Sequence, residues 1–291
     1  MKWPSSVLVL LLFAAAVSVT DRGQAQSPFF DEDPLADFRK QTQETLGKEL
    51  REAFPEIPSL LFHETAKSDN LEIREPLRRL LEAQNTAPPE RRPALLLAAD
   101  ILGGQLWCDN RESLECRQLR DEMAVYKLTW AYSELGGGWY YHHDLLWRLW
   151  KEYGTTPWGE IAFVMLLDKG WDTTGMCNKG SDQFRDVIRE GDAFLAERLG
   201  SPHRTWVRLL EAEAYETWWS LSRANPKEDD YATPETYKKG ATQALEKAIA
   251  AYQEVIKTAP GTNIAAIARR QLEVLKLGGD TAQRKFFCVY D

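Results

Sequence analysis

The chain has 291 residues, of which 44% are apolar, 11% aromatic and 27% charged, which is enough to bury a core and does not resemble a disordered polymer. Lysine and arginine total 36 against 44 acidic residues, and the net charge of -8 argues against nucleic acid as a partner and against a polybasic membrane patch. Only 4 histidines accompany 11 tryptophans, which indicates large packing groups and little equipment for proton transfer or metal binding.

Residues 1–25 have the layout of a secretory signal peptide. Lys2 precedes an uncharged apolar run over 7–19, and the small residues Gly23 and Ala25 predict cleavage after Ala25. The run is too short to cross a bilayer comfortably, and an uncleaved N-terminal anchor is the alternative. The sequence therefore predicts an exported protein, periplasmic or secreted, with no transmembrane segment after cleavage.

Export implies an oxidising compartment, in which cysteines are expected to form disulfides. Cys108 and Cys116 enclose a polar loop and are assigned as a local pair, which leaves Cys177 with Cys288 to tie the C-terminal tail to a mid-chain loop. Four cysteines allow three connectivities. A zinc site is the other alternative, but the sequence has no C-x2-C pair and no histidine near a cysteine. We expect no metal and no cofactor.

Signals for the starts and ends of helices occur along nearly the whole chain after the predicted signal peptide. The alternation of apolar and polar residues that is typical of strands is scarce. Apolar residues at spacings of three and four, N-terminal caps and C-terminal glycines predict about ten helices in pairs joined by short turns. In chain order, the predicted helices cover 33–54, 77–85, 94–102, 119 to the glycines at 136–138, 141–153, 157–169, 183–199, 202–223, 234–257 and 263–277.

An internal repeat relates several of these pairs. Three helix junctions align without gaps, at 154–162, 199–207 and 260–268. In each junction a hydroxyl side chain can cap the following helix, and the three caps are Thr156, Ser201 and Thr262. The repeating unit is therefore helix, capped turn, helix, with irregular spacing.

The last unit, 244–277, with Ala248, Pro260 and Ala268, resembles a tetratricopeptide repeat (TPR). The chain is most similar to the degenerate repeats of exported bacterial TPR-like envelope proteins, although the strict 34-residue period is missing. The resemblance implies an α-solenoid whose concave face binds peptides or proteins, usually without catalysis. None of the family's binding residues can be transferred, because no fixed motif matches.

The expected fold class is all-α, an α-solenoid of antiparallel helix pairs with a short extended C-terminal tail. The expected segments are a signal peptide (1–25), an N-terminal helical region (26–135), TPR-like helical repeats (136–279) and a C-terminal tail (280–291).

Motifs for catalysis are weak. His142, His143 and Asp144 adjoin, but neighbouring helical residues point about 100° apart and a two-histidine metal site needs a spacing of four. We interpret them as a helix start at which Asp144 complements the dipole. His63 fits no H-E-x-x-H motif, and the glycines at 136–138 lack the Lys-Ser/Thr pair of a phosphate-binding loop. No catalytic residue is predicted.

Helix 202–223 offers the main alternative chemistry. A glycosidase or a carbohydrate-binding protein could use its mixture of acidic and aromatic residues, which are Glu211, Glu213, Tyr215, Glu216, Trp218 and Trp219. We interpret this helix as amphipathic, buried on its tryptophan face and solvated on its glutamate face.

Aromatic residues at junctions and the long loop 170–182 are candidates for recognition, although the loop can equally serve as a tether for the tail. The candidate binding residues are Trp139, Tyr140, Trp158, Trp171, Asp172 and Lys179. The predicted function is an exported, non-catalytic protein-binding or assembly module with a protein or peptide partner in the envelope. The alternative is a glycan-active enzyme, such as a glycoside hydrolase, or a carbohydrate-binding protein.

Overall fold

The computed structural model describes residues 33–62, 70–108, 113–133, 137–172, 182–224, 234–279 and 285–287. The predicted signal peptide, Lys179 and the predicted Cys177–Cys288 pair lie outside these residues. Helices make up 69% of the described residues, which agrees with the all-α expectation at this level. Within the described ranges, none of the helices combines the length and the apolar character needed to cross a bilayer.

Twelve helices and three short strands occur among the described residues. The helices are α1 (Ala36–Leu50), α2 (Ile57–Leu60), α3 (Asn70–Thr86), α4 (Arg92–Gly103), α5 (Leu114–Ala124), α6 (Asp144–Tyr153), α7 (Pro157–Asp168), α8 (Gln183–Glu197), α9 (Arg204–Leu221), α10 (Pro234–Lys238), α11 (Ala241–Thr258) and α12 (Asn263–Lys276). The strands are β1 (Trp107–Cys108), β2 (Trp130–Ser133) and β3 (Gly138–Tyr141).

The three strands form a small antiparallel sheet in the order β1-β3-β2. The predicted helix from 119 to the glycines at 136–138 is therefore wrong beyond Ala124. Lys127 has a φ of 62° in the left-handed region, which a continuing helix does not allow. The aromatic residues that follow favour strands, and Trp130 pairs with Tyr141 across the sheet. The helix predicted over 141–153 accordingly begins at Asp144.

The predicted Cys108–Cys116 disulfide is confirmed. It joins β1 to the first turn of α5, with the two Cα atoms 5.7 Å apart. The Ser113 hydroxyl accepts a hydrogen bond of 3.0 Å from the Cys116 amide and so caps α5 next to the disulfide. The two interactions fix the orientation of α5 relative to the sheet.

Two of the three predicted helix caps are confirmed. The Thr156 hydroxyl accepts from the Gly159 amide at 3.2 Å, and the Thr262 hydroxyl from the Ala265 amide at 3.4 Å. The Ser201 cap is wrong, because its hydroxyl accepts from His203, before α9 begins. The predicted helix over 234–257 is also divided, because Gly240 has a φ of 89° and separates α10 from α11.

Helix α9 lies at the centre of the C-terminal half. It contacts α7, α8, α10, α11 and α12, so it is covered on nearly all sides. The expectation that its glutamate face is solvated is therefore wrong, since Glu211, Glu213 and Glu216 are all buried. The described part of the C-terminal tail is a buried turn rather than an extended segment: Phe286 and Phe287 are buried, and the Phe286 carbonyl accepts from the Phe184 amide at 2.9 Å.

Candidate functional site at the junction of β3, α6 and α7

The start of α6 is held by side chains from other elements. The Tyr141 hydroxyl accepts from the Leu145 amide at 2.8 Å, and the Asp100 carboxylate accepts from the Leu146 amide at 3.2 Å. Both amides belong to the first turn of α6, which has no partners for them within the helix. The interpretation of the His-His-Asp sequence as a helix start is confirmed, with Asp144 as the first helical residue.

His143 is paired with Asp100. Its Nδ1 lies 2.7 Å from the Asp100 Oδ2, and Asp100 is fully buried on α4. His143 has a φ of 57°, an uncommon conformation for a non-glycine residue, and the Asp100 bond helps to hold it. Gly104 provides room for the ring, because a Cβ atom there would lie 2.6 Å from the His143 Cε1.

No local sequence pattern indicated the pair of His143 and Asp100. The available signal was a single carboxylate, Asp100, within the otherwise apolar helix α4. A buried charge requires a partner, so Asp100 predicts that one exists. Its partner is 43 residues away in the chain, and only the tertiary structure identifies it as His143.

The C-terminal end of α7 is fixed by a Schellman motif. The Trp171 amide donates to the Leu166 carbonyl at 2.9 Å, and the Gly170 amide donates to the Leu167 carbonyl at 3.0 Å. Gly170 has a φ of 73°, the left-handed conformation that this motif requires. The motif places Lys169 and Trp171 on either side of a rigid turn.

Partly exposed aromatic and polar residues occur on β3, on α6 and in the turn after α7. We call them the aromatic surface, which consists of Tyr140, His142, Trp147, Trp171 and Asp172. The Tyr140 and His142 rings are 5.9 Å apart, and the Trp147 and Trp171 rings are 5.1 Å apart. Burial lowers the pKa of His142, while the carboxylates of Asp144 and Asp172 oppose this shift, so Asp172 lies close to the imidazole.

The structure brings together three of the six predicted binding residues, Tyr140, Trp171 and Asp172. Trp139 belongs to the opposite face of β3, since successive strand residues alternate, and it packs under the Arg120 guanidinium at 3.8 Å. Trp158 lies in the first turn of α7, about 15 Å along the helix axis from its C-terminal end. Lys179 is not among the described residues.

A cavity of about 200 Å³ lies on the other side of the same junction. Its apolar wall consists of Leu35, Phe38, Phe62, Ile101 and Met165. Its polar side chains are Arg39, Gln105, His143, Asp168 and Lys169. The two consecutive histidines therefore serve different places, since His142 belongs to the aromatic surface and His143 lines the cavity.

A partly buried ion-pair network lies next to the cavity. The Lys285 ammonium is 2.7 Å from Asp168 and 3.1 Å from Glu213, and Arg39 contacts the other Asp168 oxygen at 3.2 Å. Burial would raise the pKa of Asp168, but Lys285 and Arg39 lower it overall. For Lys285, burial lowers the pKa, but the two carboxylates raise it by more. Asp168 is therefore a carboxylate whose two oxygens are both engaged.

The three buried glutamates of α9 do not form a shared site. Glu211 pairs with Arg208 on its own helix, Glu213 pairs with Lys285 of the tail, and Glu216 accepts from the Tyr252 hydroxyl at 2.6 Å. The arrangement of two carboxylates across an open cleft that a glycosidase needs is therefore not formed by these residues. No group of three metal-binding side chains occurs within the described ranges.

Comparison of the chain with protein-family models, with curated protein sequences and with solved structures finds no match.

Proposed function

We propose that this chain is an exported, non-catalytic binding protein whose aromatic surface binds a protein or peptide partner. The observation that carries the proposal is the contact between the Trp147 ring of α6 and the Trp171 ring of the turn after α7, 5.1 Å apart and both partly exposed. The partly exposed Tyr140 ring of β3, which lies 5.9 Å from the His142 ring, extends the surface. Tyrosine and tryptophan are enriched in protein interfaces and dominate their binding energy. The rigid turn after α7 reduces the entropy lost on binding.

A TPR-like solenoid of antiparallel helix pairs is part of the same proposal. The contacts between α6 and α7, α8 and α9, and α11 and α12 support it, since each pair is consecutive in the described chain. Export is supported by the Cys108–Cys116 disulfide, because disulfides persist in oxidising compartments.

The test is a selection of peptides from a random display library on the oxidised protein, followed by calorimetric measurement of Kd. We expect Tyr140→Ala and Trp147→Ala to raise the Kd for the selected peptides about tenfold or more, as for residues at the centre of an interface. Trp158→Ala is the matched control, since Trp158 is also partly exposed but lies at the other end of α7. Its Kd should remain within about twofold of the wild-type value.

The proposal fails if no peptide is enriched, or if Trp158→Ala weakens binding as much as the two surface variants. A glycan array with the same variants examines the carbohydrate-binding alternative. If the wild-type protein binds a glycan but no peptide, and Tyr140→Ala no longer binds that glycan, the ligand of the aromatic surface is a carbohydrate and not a protein.

A further inference from the structure

Charged side chains line the cavity beside His143, and nearly all of them are paired. Arg39 forms ion pairs with Asp33 and with Asp168. Asp168 has both oxygens engaged, by Lys285 and Arg39. Asp100, immediately behind the cavity, is engaged by His143 and by a backbone amide of α6. The side chain of Lys169 forms no hydrogen bond or ion pair with any residue that the structure describes. Its ammonium is thus the remaining cation in the cavity wall.

The ammonium of Lys169 is poorly solvated. Burial lowers its pKa, and Asp100 and Asp168 only partly oppose that shift. Arg39 also lowers the pKa of Lys169, although its own charge is paired with Asp33 and Asp168. A half-buried ammonium without a hydrogen bond or ion pair is an unfavourable arrangement that a bound anion would relieve.

The remainder of the cavity favours an apolar ligand chain. Side chains from α1, α4 and α7 form its apolar wall, among them Phe38, Ile101 and Met165. A single unneutralised cation beside such a wall matches one negative charge on an otherwise apolar molecule. A phosphate would bring up to two charges and several acceptor oxygens for which the wall has too few donors.

The volume limits the size of the ligand. A cavity of about 150 Å³ accommodates benzene, with six carbon atoms, so a cavity of about 200 Å³ holds about eight non-hydrogen atoms. Hexanoate has this size, and 3-phenylpropionate is slightly larger. A chain of about ten carbons would have to extend into solvent.

We propose that this cavity binds a small monocarboxylic acid with an apolar chain, its carboxylate on the Lys169 ammonium and its chain against Phe38 and Met165. The site is separate from the aromatic surface and does not depend on a protein partner. His143, oriented by Asp100, forms one wall and defines the polar end of the cavity.

The experiment is calorimetric titration of the full exported chain with hexanoate, hexanamide and decanoate. We expect hexanoate to bind. Hexanamide should bind about tenfold more weakly because it has no charge. The affinity for decanoate should not exceed that for hexanoate, because decanoate does not fit into the cavity. Lys169→Met should weaken the binding of hexanoate about tenfold or more. Lys151→Met, an exposed lysine on the neighbouring helix α6, is the matched control and should leave the Kd unchanged.

Several outcomes would overturn the proposal. One is equal affinity for hexanoate and hexanamide, which requires only the wild-type protein and does not depend on a variant that folds. Another is tighter binding of decanoate, which would indicate adsorption to an open apolar surface. Unchanged hexanoate affinity in Lys169→Met, or no hexanoate binding up to about 5 mM, would also refute it. A Met165→Trp variant, which fills the cavity while keeping Lys169, should abolish binding if the proposal is correct.

Discussion

Helix α9 and the cavity beside His143 both bury charged groups, but they treat them differently. Each buried glutamate of α9 has a partner, namely Arg208, Lys285 or Tyr252. In the cavity, Lys169 has no such partner among the described residues, and it lines open space. Buried charge alone therefore does not mark a site in this protein. A buried charge without a partner beside a cavity does indicate a site, because a ligand can supply the opposite charge that the fold does not provide.

The largest effect is expected from Lys285→Met. This variant leaves the buried carboxylate of Glu213 and the partly buried carboxylate of Asp168 without their shared cation, although Arg39 still contacts Asp168. Breaking such a pair costs about 3 kcal/mol, which corresponds to a fall in Tm of about 6–12 °C for a chain of this size. Calorimetric unfolding measures this fall in Tm. Lys276→Met, which removes an exposed lysine paired with Glu273, is the control and should shift Tm by less than about 2 °C.

A smaller loss is expected from Tyr252→Phe. The Tyr252 hydroxyl donates to the buried Glu216 carboxylate at 2.6 Å, and its removal should cost about 1–3 kcal/mol, or about 3–8 °C in Tm. Tyr126→Phe provides the matched comparison, because the Tyr126 hydroxyl donates to the exposed Glu82 at 3.2 Å. Equal Tm values for the two variants would show that burial does not strengthen the Glu216 bond.

Glu211 should make stability depend on pH. Burial, reinforced by Asp192 and opposed by Arg208, raises its pKa to about 8 from 4.5. The folded protein therefore binds a proton at Glu211 that the unfolded chain has already lost, so the contribution of Glu211 to stability falls as pH rises from 4.5 to about 8. In Glu211→Gln this decline should disappear, so the Tm difference between about pH 5 and pH 8 should be smaller than in the wild-type protein.

Glu254→Gln is the control for this pH experiment. Glu254 is ion-paired with the same Arg208 at 2.9 Å, but 45% of its side chain is exposed. Its variant should retain the wild-type decline. If the stability of Glu211→Gln still declines as the pH rises, another group causes the pH dependence.

The smallest effect is expected from Lys169→Met without ligand. Methionine keeps the length and apolar contacts of the lysine stem but removes an ammonium that burial disfavours. Tm should therefore change by less than about 2 °C, or rise slightly. A loss as large as that of Lys285→Met would show that Lys169 is paired within the fold, and the contrast between the two regions would disappear.

Local signals predicted much of the secondary structure. Hydroxyl caps at Thr156 and Thr262, and apolar residues spaced by three and four, placed α7 and α12 to within a residue or two. The same spacing failed after α5, because Leu119, Met123 and Trp130 also fit a helical stripe. Strand pairing depends on a partner strand elsewhere in the chain, and no local pattern reveals it.

The candidate sites show the same limit. Aromatic residues indicated Tyr140 and Trp171 as binding residues, and the structure places Tyr140 beside His142 and Trp171 against Trp147. It puts Trp139 on the other face of the strand, because one residue along a strand reverses the direction of the side chain. Arg39, Asp100 and Lys169 were not identified, since each is an ordinary charged residue until its distant neighbours are known.

Composition and short-range patterns were sufficient to predict the abundance of helix, most helix boundaries, the Cys108–Cys116 disulfide and the scarcity of metal-binding residues. These properties depend on neighbours within a few turns or on composition, and both can be read along the chain. Which charges are buried, and which of them have a partner, could not be predicted in this way. That outcome depends on contacts between segments such as Asp100 with His143 and Lys285 with Glu213, which are 43 and 72 residues apart.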